Sequence, residues 1–192
     1  MRRYLVGISG ASGSILAIRL LQELRRDDDT EVHLVVSPAA WRTLHLEEPE
    51  FGARRLRDLA HVVHGHRDVA APPASGGFAH DGMVIVPCSI ATASELSLGI
   101  GRNLLARAAD VTLKEGRRLI VVPRESPMHA GHLEALARLA RLGACILPPM
   151  LAFYHRPRSV ADLVDHVVAR ILERLGREQD VVPPWPGGGP DV

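Results

Sequence analysis

Lysine is nearly missing from this chain. Of its 23 basic residues, 22 are arginine and one, Lys114, is lysine. A bias that writes surface cations as Arg makes the lone Lys a candidate for chemistry that needs a compact ammonium on a flexible stem. The plain alternative is a solvated lysine left by chance. An excess of one charge is missing too: 23 basic against 22 acidic residues leave +1, and the arginines are scattered, which excludes tracking of a nucleic-acid backbone. Cysteine is scarce. Cys88 and Cys145 each sit in an apolar run and read as small buried hydrophobes in a reducing compartment, not as a disulfide or a metal knuckle. No apolar run approaches the roughly 18 residues of a membrane span. Gly7, Gly10 and Gly13 break the apolar stretch behind Met1-Arg2-Arg3, so a signal peptide is not expected either. These absences point to a soluble, cytoplasmic protein.

What is present is alternation. Short β-rich runs at Tyr4–Ile8, Glu31–Val36, Met83–Val86, Leu119–Val122 and Ala144–Leu147 are separated by helical patterns at Ile15–Arg26 and at 38–47, 92–115 and 129–142. Strand, helix, strand in repetition predicts an α/β fold: a three-layer, Rossmann-like (flavodoxin-like) parallel sheet with helices on both faces. The last helix is the most clearly marked. Ser159 and Asp162 have capping-box spacing, apolar residues recur from Val160 to Leu175, and Gly176 stops it. One domain over 1–176 and a Pro/Gly-rich tail over 177–192 follow. Residues 48–82, with Pro49, Pro72, Pro73, Gly76 and Gly77, read as a long excursion over the carboxyl edge of the sheet.

The candidate chemistry gathers at strand ends. Gly7-Ile-Ser-Gly10-Ala11-Ser12-Gly13 leaves a strand and opens a helix, where an anion meets free N–H groups and the positive helix end. Its spacing is not the dinucleotide fingerprint, so NAD is disfavoured. Ser37 ends the second strand, and Cys88-Ser89-Ile90-Ala91-Thr92 ends the third. Hydroxyls at such ends make a polar cradle for a phosphorylated ligand, although any one alone reads as a helix cap. Arg124-Glu125 follows the fourth strand. Phe153-Tyr154, two of only seven aromatic residues, follows the fifth and packs on either a core neighbour or a flat ligand. Arg170 borders the apolar stripe of the last helix, as an anion contact or a snorkelling side chain. His61-Val-Val-His64-Gly-His66 lacks a partner motif for zinc, and His129 and His132 read as the start of a helix.

Together these segments resemble the UbiX-type flavin prenyltransferases. The resemblance is carried by Gly7–Gly13, Leu46-Glu47, Pro72-Pro-Ala-Ser-Gly76, Pro87-Cys-Ser89, Arg107-Ala-Ala-Asp110 with Leu113-Lys114-Glu115, Pro123-Arg-Glu125 and Phe153-Tyr-His-Arg-Pro157. Ala91 stands where many relatives carry Lys, and Ser75-Gly76-Gly77 where many read Ser-Gly-Ser. The resemblance implies transfer of a dimethylallyl group from dimethylallyl phosphate to reduced FMN, at N5 and then C6, without a metal. The product would serve UbiD-type decarboxylases. It further implies that Gly10, Ala11, Ser12, Ser37, Ser89, Ile90, Ala91, Thr92 and Arg124 bind FMN. Arg107, Lys114, Tyr154, Arg170 and Trp185 would hold the prenyl phosphate, and Ser12, Glu47, Lys114 and Glu125 would act in the chemistry. A homododecamer whose sites are completed by neighbouring chains is implied as well. An FMN-dependent cysteine decarboxylase of the same fold and a non-enzymatic flavin carrier are the alternatives.

Overall fold

The computed structural model describes residues 1–184 and 187. Six parallel strands form one sheet in the order β3-β2-β1-β4-β5-β6. They are β1 (Arg2–Ile8), β2 (Thr30–Val36), β3 (Val62–His64), β4 (Gly82–Ser89), β5 (Leu119–Arg124) and β6 (Cys145–Ile146). Strand alternation sorts the core onto two faces. Tyr4, Val6 and Ile8 of β1 meet α1 (Ser14–Arg25), α2 (Pro38–Glu47), α3 (Gly52–Asp58) and α7 (Val160–Arg174). Leu5 points the other way, toward α4 (Ile90–Ser97), α5 (Leu104–Lys114) and α6 (Ala130–Arg141). Leu20, Leu21 and Leu24 of α1 are completely buried, each contributing about 1.5–3 kcal/mol relative to exposure.

The expected alternation is present, with three corrections. The excursion is not one irregular loop: it folds into α3, the edge strand β3 and a single 3₁₀ turn at Pro72–Ala74. β3 is three residues long and half exposed, so it lacks the apolar run that marks an interior strand. The helix expected over 92–115 is two, because Gly99 adopts a positive φ of 68° and Asn103 restarts the helix by accepting from Ala106 N at 3.0 Å. The fifth expected strand shrinks to the two residues of β6. α7 has its capping box, and Gly176 follows it at φ 77°. Among the described residues, no helix is long and apolar enough to cross a membrane.

The chain turns from one side of the sheet to the other between β1 and β4. Loops leaving the carboxyl ends of these neighbouring strands diverge there and open the crevice in which such sheets bind ligands.

Candidate active site

Four segments border the crevice. Ser9, at the end of β1, donates its hydroxyl to Pro87 O at 3.1 Å and accepts from Ser89 N at 2.6 Å, tying the β1 and β4 loops together. Sequence reading passed over Ser9, because nothing local distinguishes it from Ser12. Ser37 caps α2, accepting from Ala40 N at 3.1 Å. Ser89 caps α4, accepting from Thr92 N at 3.3 Å while its hydroxyl donates to Thr92 Oγ1 at 3.0 Å. Ile90 is buried in the α4 face of the core and Ala91 is exposed beside it. Cys88, beneath them, is completely buried, which pushes its thiol up to about 12 and removes it as a nucleophile.

Gly10 is required by close approach. A Cβ there would stand 2.4 Å from the Ala39 Cβ, so only glycine lets the β1 loop lie against the start of α2. Ala11 is buried next to it and Ser12 is exposed.

The free helix end expected behind Gly13 is already occupied. Glu47, the last residue of α2, accepts from Gly13 N at 3.0 and 3.1 Å and from Ser14 N at 2.8 Å, so the positive end of α1 is met by a side chain of the same protein. Burial raises the Glu47 carboxyl, but hydrogen bonds from the Ser12 hydroxyl and from Ser14 and Gly13 outweigh it and hold the group below its ordinary value. Glu47 is therefore held as the carboxylate, with the Ser12 hydroxyl among its partners. At the end of β5, the exposed Arg124 guanidinium makes no ion pair or hydrogen bond among the described residues. Glu125 is half-buried and accepts from Ser126 N at 3.2 Å. An unpaired guanidinium, a Ser37 hydroxyl with its proton uncommitted and a crevice cleared by Gly10 fit a flavin carrying one phosphate.

The remaining candidates lie elsewhere. Lys114 ends α5, five residues before β5 begins, which puts it at the amino edge of the sheet. It pairs with Glu115, and both lie against Gly76: a Cβ at Gly76 would be 3.0 Å from Lys114 Nζ. Arg107, two turns back on α5, donates to Ala74 O at 3.2 Å and to Asp110 at 3.0 Å. The Pro72–Gly77 segment, Arg107 and Lys114 thus form one platform. Tyr154 and Arg170 meet on the opposite face, in a cavity of about 540 Å³ between the Tyr154–Pro157 loop, α7 and Val181–Pro184. Arg156 holds that loop at a positive φ of 53°, a conformation that costs a residue with a Cβ about 1–2 kcal/mol. Trp185 lies outside the described residues.

The structure therefore joins Ser12 to Glu47, Arg107 to Lys114 and Tyr154 to Arg170, but leaves the three groups apart within one chain. The histidine run serves the fold. His61 Nδ1 accepts from Val32 N at 2.9 Å, His64 shares a 2.8 Å hydrogen bond with His33, and His66 O accepts from Leu104 N.

Comparison with known proteins gives this geometry a family. The Flavoprotein family model matches residues 1–174. Flavin prenyltransferase UbiX of Archaeoglobus fulgidus is 53% identical over 93% of this chain and 97% of its own length. Among solved structures, a dodecameric FMN-dependent UbiX-like decarboxylase from Escherichia coli O157:H7 superposes with a TM-score of 0.94 at 45% identity, covering 96% of this chain and 100% of that one. AnUbiX in complex with FMN and dimethylallyl pyrophosphate gives 0.94 at 40% identity, covering 98% and 99%. Matched in sequence and in fold over nearly its whole length, the chain belongs to the flavoprotein family and, within it, to the UbiX-type flavin prenyltransferases.

Proposed function

We propose that this protein binds reduced FMN in the crevice between β1 and β4 and joins to it a dimethylallyl group taken from dimethylallyl phosphate. The observation that carries the reading is the Ser12–Glu47 pair at the mouth of a crevice whose donor set fits a flavin phosphate. Reduced FMN supplies the electron-rich N5 and C6 positions that accept the prenyl group. Arg124 and Ser37 hold its phosphate, with Ser89 and Thr92 lining the β4 side and Gly10 and Ala11 the β1 side. Glu47, kept ionised, takes the proton released when C6 is alkylated, relayed by the Ser12 hydroxyl. Glu125, just beyond β5, shares in the proton transfers. Arg107, Lys114 and Arg170 neutralise the phosphate as it departs from the allylic carbon, while Tyr154 and Trp185 contact it without adding charge.

These phosphate ligands and the crevice come from different flanks of the fold. β1, seven residues long, spans about 20 Å, and no lysine rotamer reaches from the amino edge past that length. Neighbouring copies then complete each site, in a dodecamer like that of the Escherichia coli relative. The exposed apolar side chains of Met150, Leu151 and Phe153 supply an assembly surface. We further propose that the product passes to a UbiD-type decarboxylase in the cytoplasm.

The test is anaerobic incubation with reduced FMN and dimethylallyl phosphate. A heavier flavin adduct and one equivalent of inorganic phosphate are expected. A flavin carrier would leave both reactants unchanged, and a cysteine decarboxylase would instead release carbon dioxide from a peptide ending in cysteine; either result overturns the proposal. Site sharing has its own test: co-assembled Lys114→Met and Arg124→Ala chains should regain activity that neither has alone.

A further inference from the structure

The cavity that holds Tyr154 and Arg170 contains two imidazoles to which the proposed reaction gives no role. His155, in the loop, stacks on His166 of α7 with ring centroids 4.8 Å apart and planes 10° from parallel. Tyr154 stands edge-on to both, at 5.5 and 5.8 Å. His166 lies one helical turn before Arg170, so the two side chains share a face. Together they form the wall between this cavity and a second, of about 380 Å³, that runs along the β6 edge past Pro148 and Met150. Both ring nitrogens of His155 are shielded from solvent and have no hydrogen-bond partner among the described residues. His166 makes no hydrogen bond there either.

The carboxylates around the stack are all committed. Asp162 accepts from Arg158 N at 2.6 Å and from Ser159 N and Oγ at 3.1 and 2.9 Å. Asp165 is paired with Arg19 Nε at 2.6 Å, and Glu173 with Arg170. Arg156 adds a further positive charge at the rim. Burial, the neighbouring His155 and the Arg170 guanidinium hold the His166 imidazole below its ordinary value, with Glu173 opposing. Beside the Arg170 guanidinium and a second ring, a proton on His166 is disfavoured while the cavity is empty, even with Glu173 near it and Asp162 near His155. A doubly charged anion reverses that balance, because it supplies the counter-charge that makes one imidazolium favourable and gives the unpaired ring nitrogens an acceptor.

We propose that the His155–His166 stack is a proton-taking part of the phosphate site: a phosphate-like dianion binds beside Arg170 and Tyr154 together with one proton, which the stack carries as an imidazolium. This rests on the reading that Arg170 and Tyr154 receive the prenyl phosphate, and it deepens that reading by making substrate binding depend on pH. The imidazolium is a positioning charge for the phosphate. No bond to carbon passes through it.

Inorganic sulfate separates the protein's proton from the ligand's, because sulfate keeps its two charges throughout the neutral range. Its affinity for the assembled protein should be measured by calorimetry from pH 6.5 to 8.5. One linked proton predicts weakening that approaches about tenfold per pH unit. In the His155→Gln/His166→Gln double variant, affinity at pH 8.5 should match the wild type, while affinity at pH 6.5 should be about tenfold or more weaker. Flavin binding in the variant checks that it is folded. Wild-type sulfate binding that does not change with pH overturns the inference, as does a double variant that keeps wild-type affinity at pH 6.5. The first result in a protein that still prenylates flavin leaves the proposed function standing. Proton-linked sulfate binding in a protein that forms no flavin adduct supports the stack and defeats the prenyl-transfer reading.

Discussion

Replacing Glu47 by Gln removes one charge and almost no volume, so its effect measures what the carboxylate does for the β1 loop. The carboxylate oxygen 3.0 Å from Gly13 N and 2.8 Å from Ser14 N can be replaced by an amide oxygen. The other oxygen, 3.1 Å from Gly13 N, becomes an NH₂ group facing another donor. Charge-assisted hydrogen bonds contribute about 1.5–3 kcal/mol against about 0.5–1.5 for neutral ones. A partly buried charge at a helix end adds up to about 2 kcal/mol. A loss of about 2 kcal/mol at pH 7 follows, or about 4–8 °C in melting temperature for a domain of this size. Because the folded Glu47 lies below its ordinary value of about 4.3, its contribution is fully present above that pH and disappears as pH falls through the lower, folded value. The gap between wild type and variant should therefore close in acid. Thermal unfolding at one protein concentration, at pH 7 and again near pH 3, reads both effects, since assembly would make melting concentration-dependent. A variant melting within about 1 °C of the wild type at pH 7 would show that the end of α1 does not depend on this carboxylate.

Three further outcomes are expected. Gly10→Ala should lower stability by about 1–3 kcal/mol in urea unfolding and weaken FMN binding, because the Ala39 Cβ is fixed to the backbone 2.4 Å away and cannot rotate aside. Burial, with Arg117 nearby, pushes His80 down to about 4 against about 6.5 in the unfolded chain. The unfolded state then binds the extra proton between those values, so about 3 kcal/mol of stability present above pH 6.5 is lost as pH falls toward 4, and His80→Asn should flatten that slope in urea titrations. Lys114→Arg should leave melting and flavin binding nearly intact yet lower prenyl transfer by about tenfold or more, because a planar fork cannot replace a point charge on a phosphate; wild-type turnover would make the lone lysine incidental.

The layered fold was legible because its long elements carry clear periodicity. α7 could be read to within a residue from Ser159, Asp162 and Gly176, where cap chemistry and apolar spacing agree. β3 was not legible. A three-residue edge strand flanked by histidines buries too little to need an apolar run, and its pairing with β2 is a tertiary fact. The split between α4 and α5 had a signal in Gly99 and Gly101, but helical periodicity on both sides concealed it. At the site, Glu47 was named from resemblance, whereas its contact with Gly13 joins residues 34 positions apart and no local pattern announces it. The position of Lys114 was available from chain order alone: a residue closing a helix just before a parallel strand lies at the amino edge of the sheet, opposite the crevice. Composition marked the residue, and topology places it at the edge away from the crevice of its own chain.

Several cations of this arginine-rich chain that tie elements together are held differently from those proposed to receive phosphate. Arg177 is nearly buried, bonds Thr30 Oγ1 at 2.7 Å and Asp27 at 3.1 Å, and lies over the Tyr4 ring; freeing it would unfasten the chain beyond α7 from the amino edge. Arg19 likewise ties α1 to α7 through Asp165. Lys114 and Arg170 are paired differently, each half exposed and matched with a carboxylate one or three residues away. Exposed pairs of that kind contribute about 0–1 kcal/mol, so a phosphate dianion can displace the carboxylate at little cost to the fold. Among the described residues, Arg124 has no such partner. Arg177 and Arg19 are matched across elements and partly or largely buried, whereas Lys114, Arg170 and Arg124, proposed to receive phosphate, are unpaired or matched to near neighbours at the surface. That difference follows from electrostatics: a charge must be cheap to release if it is to change partners in every turnover.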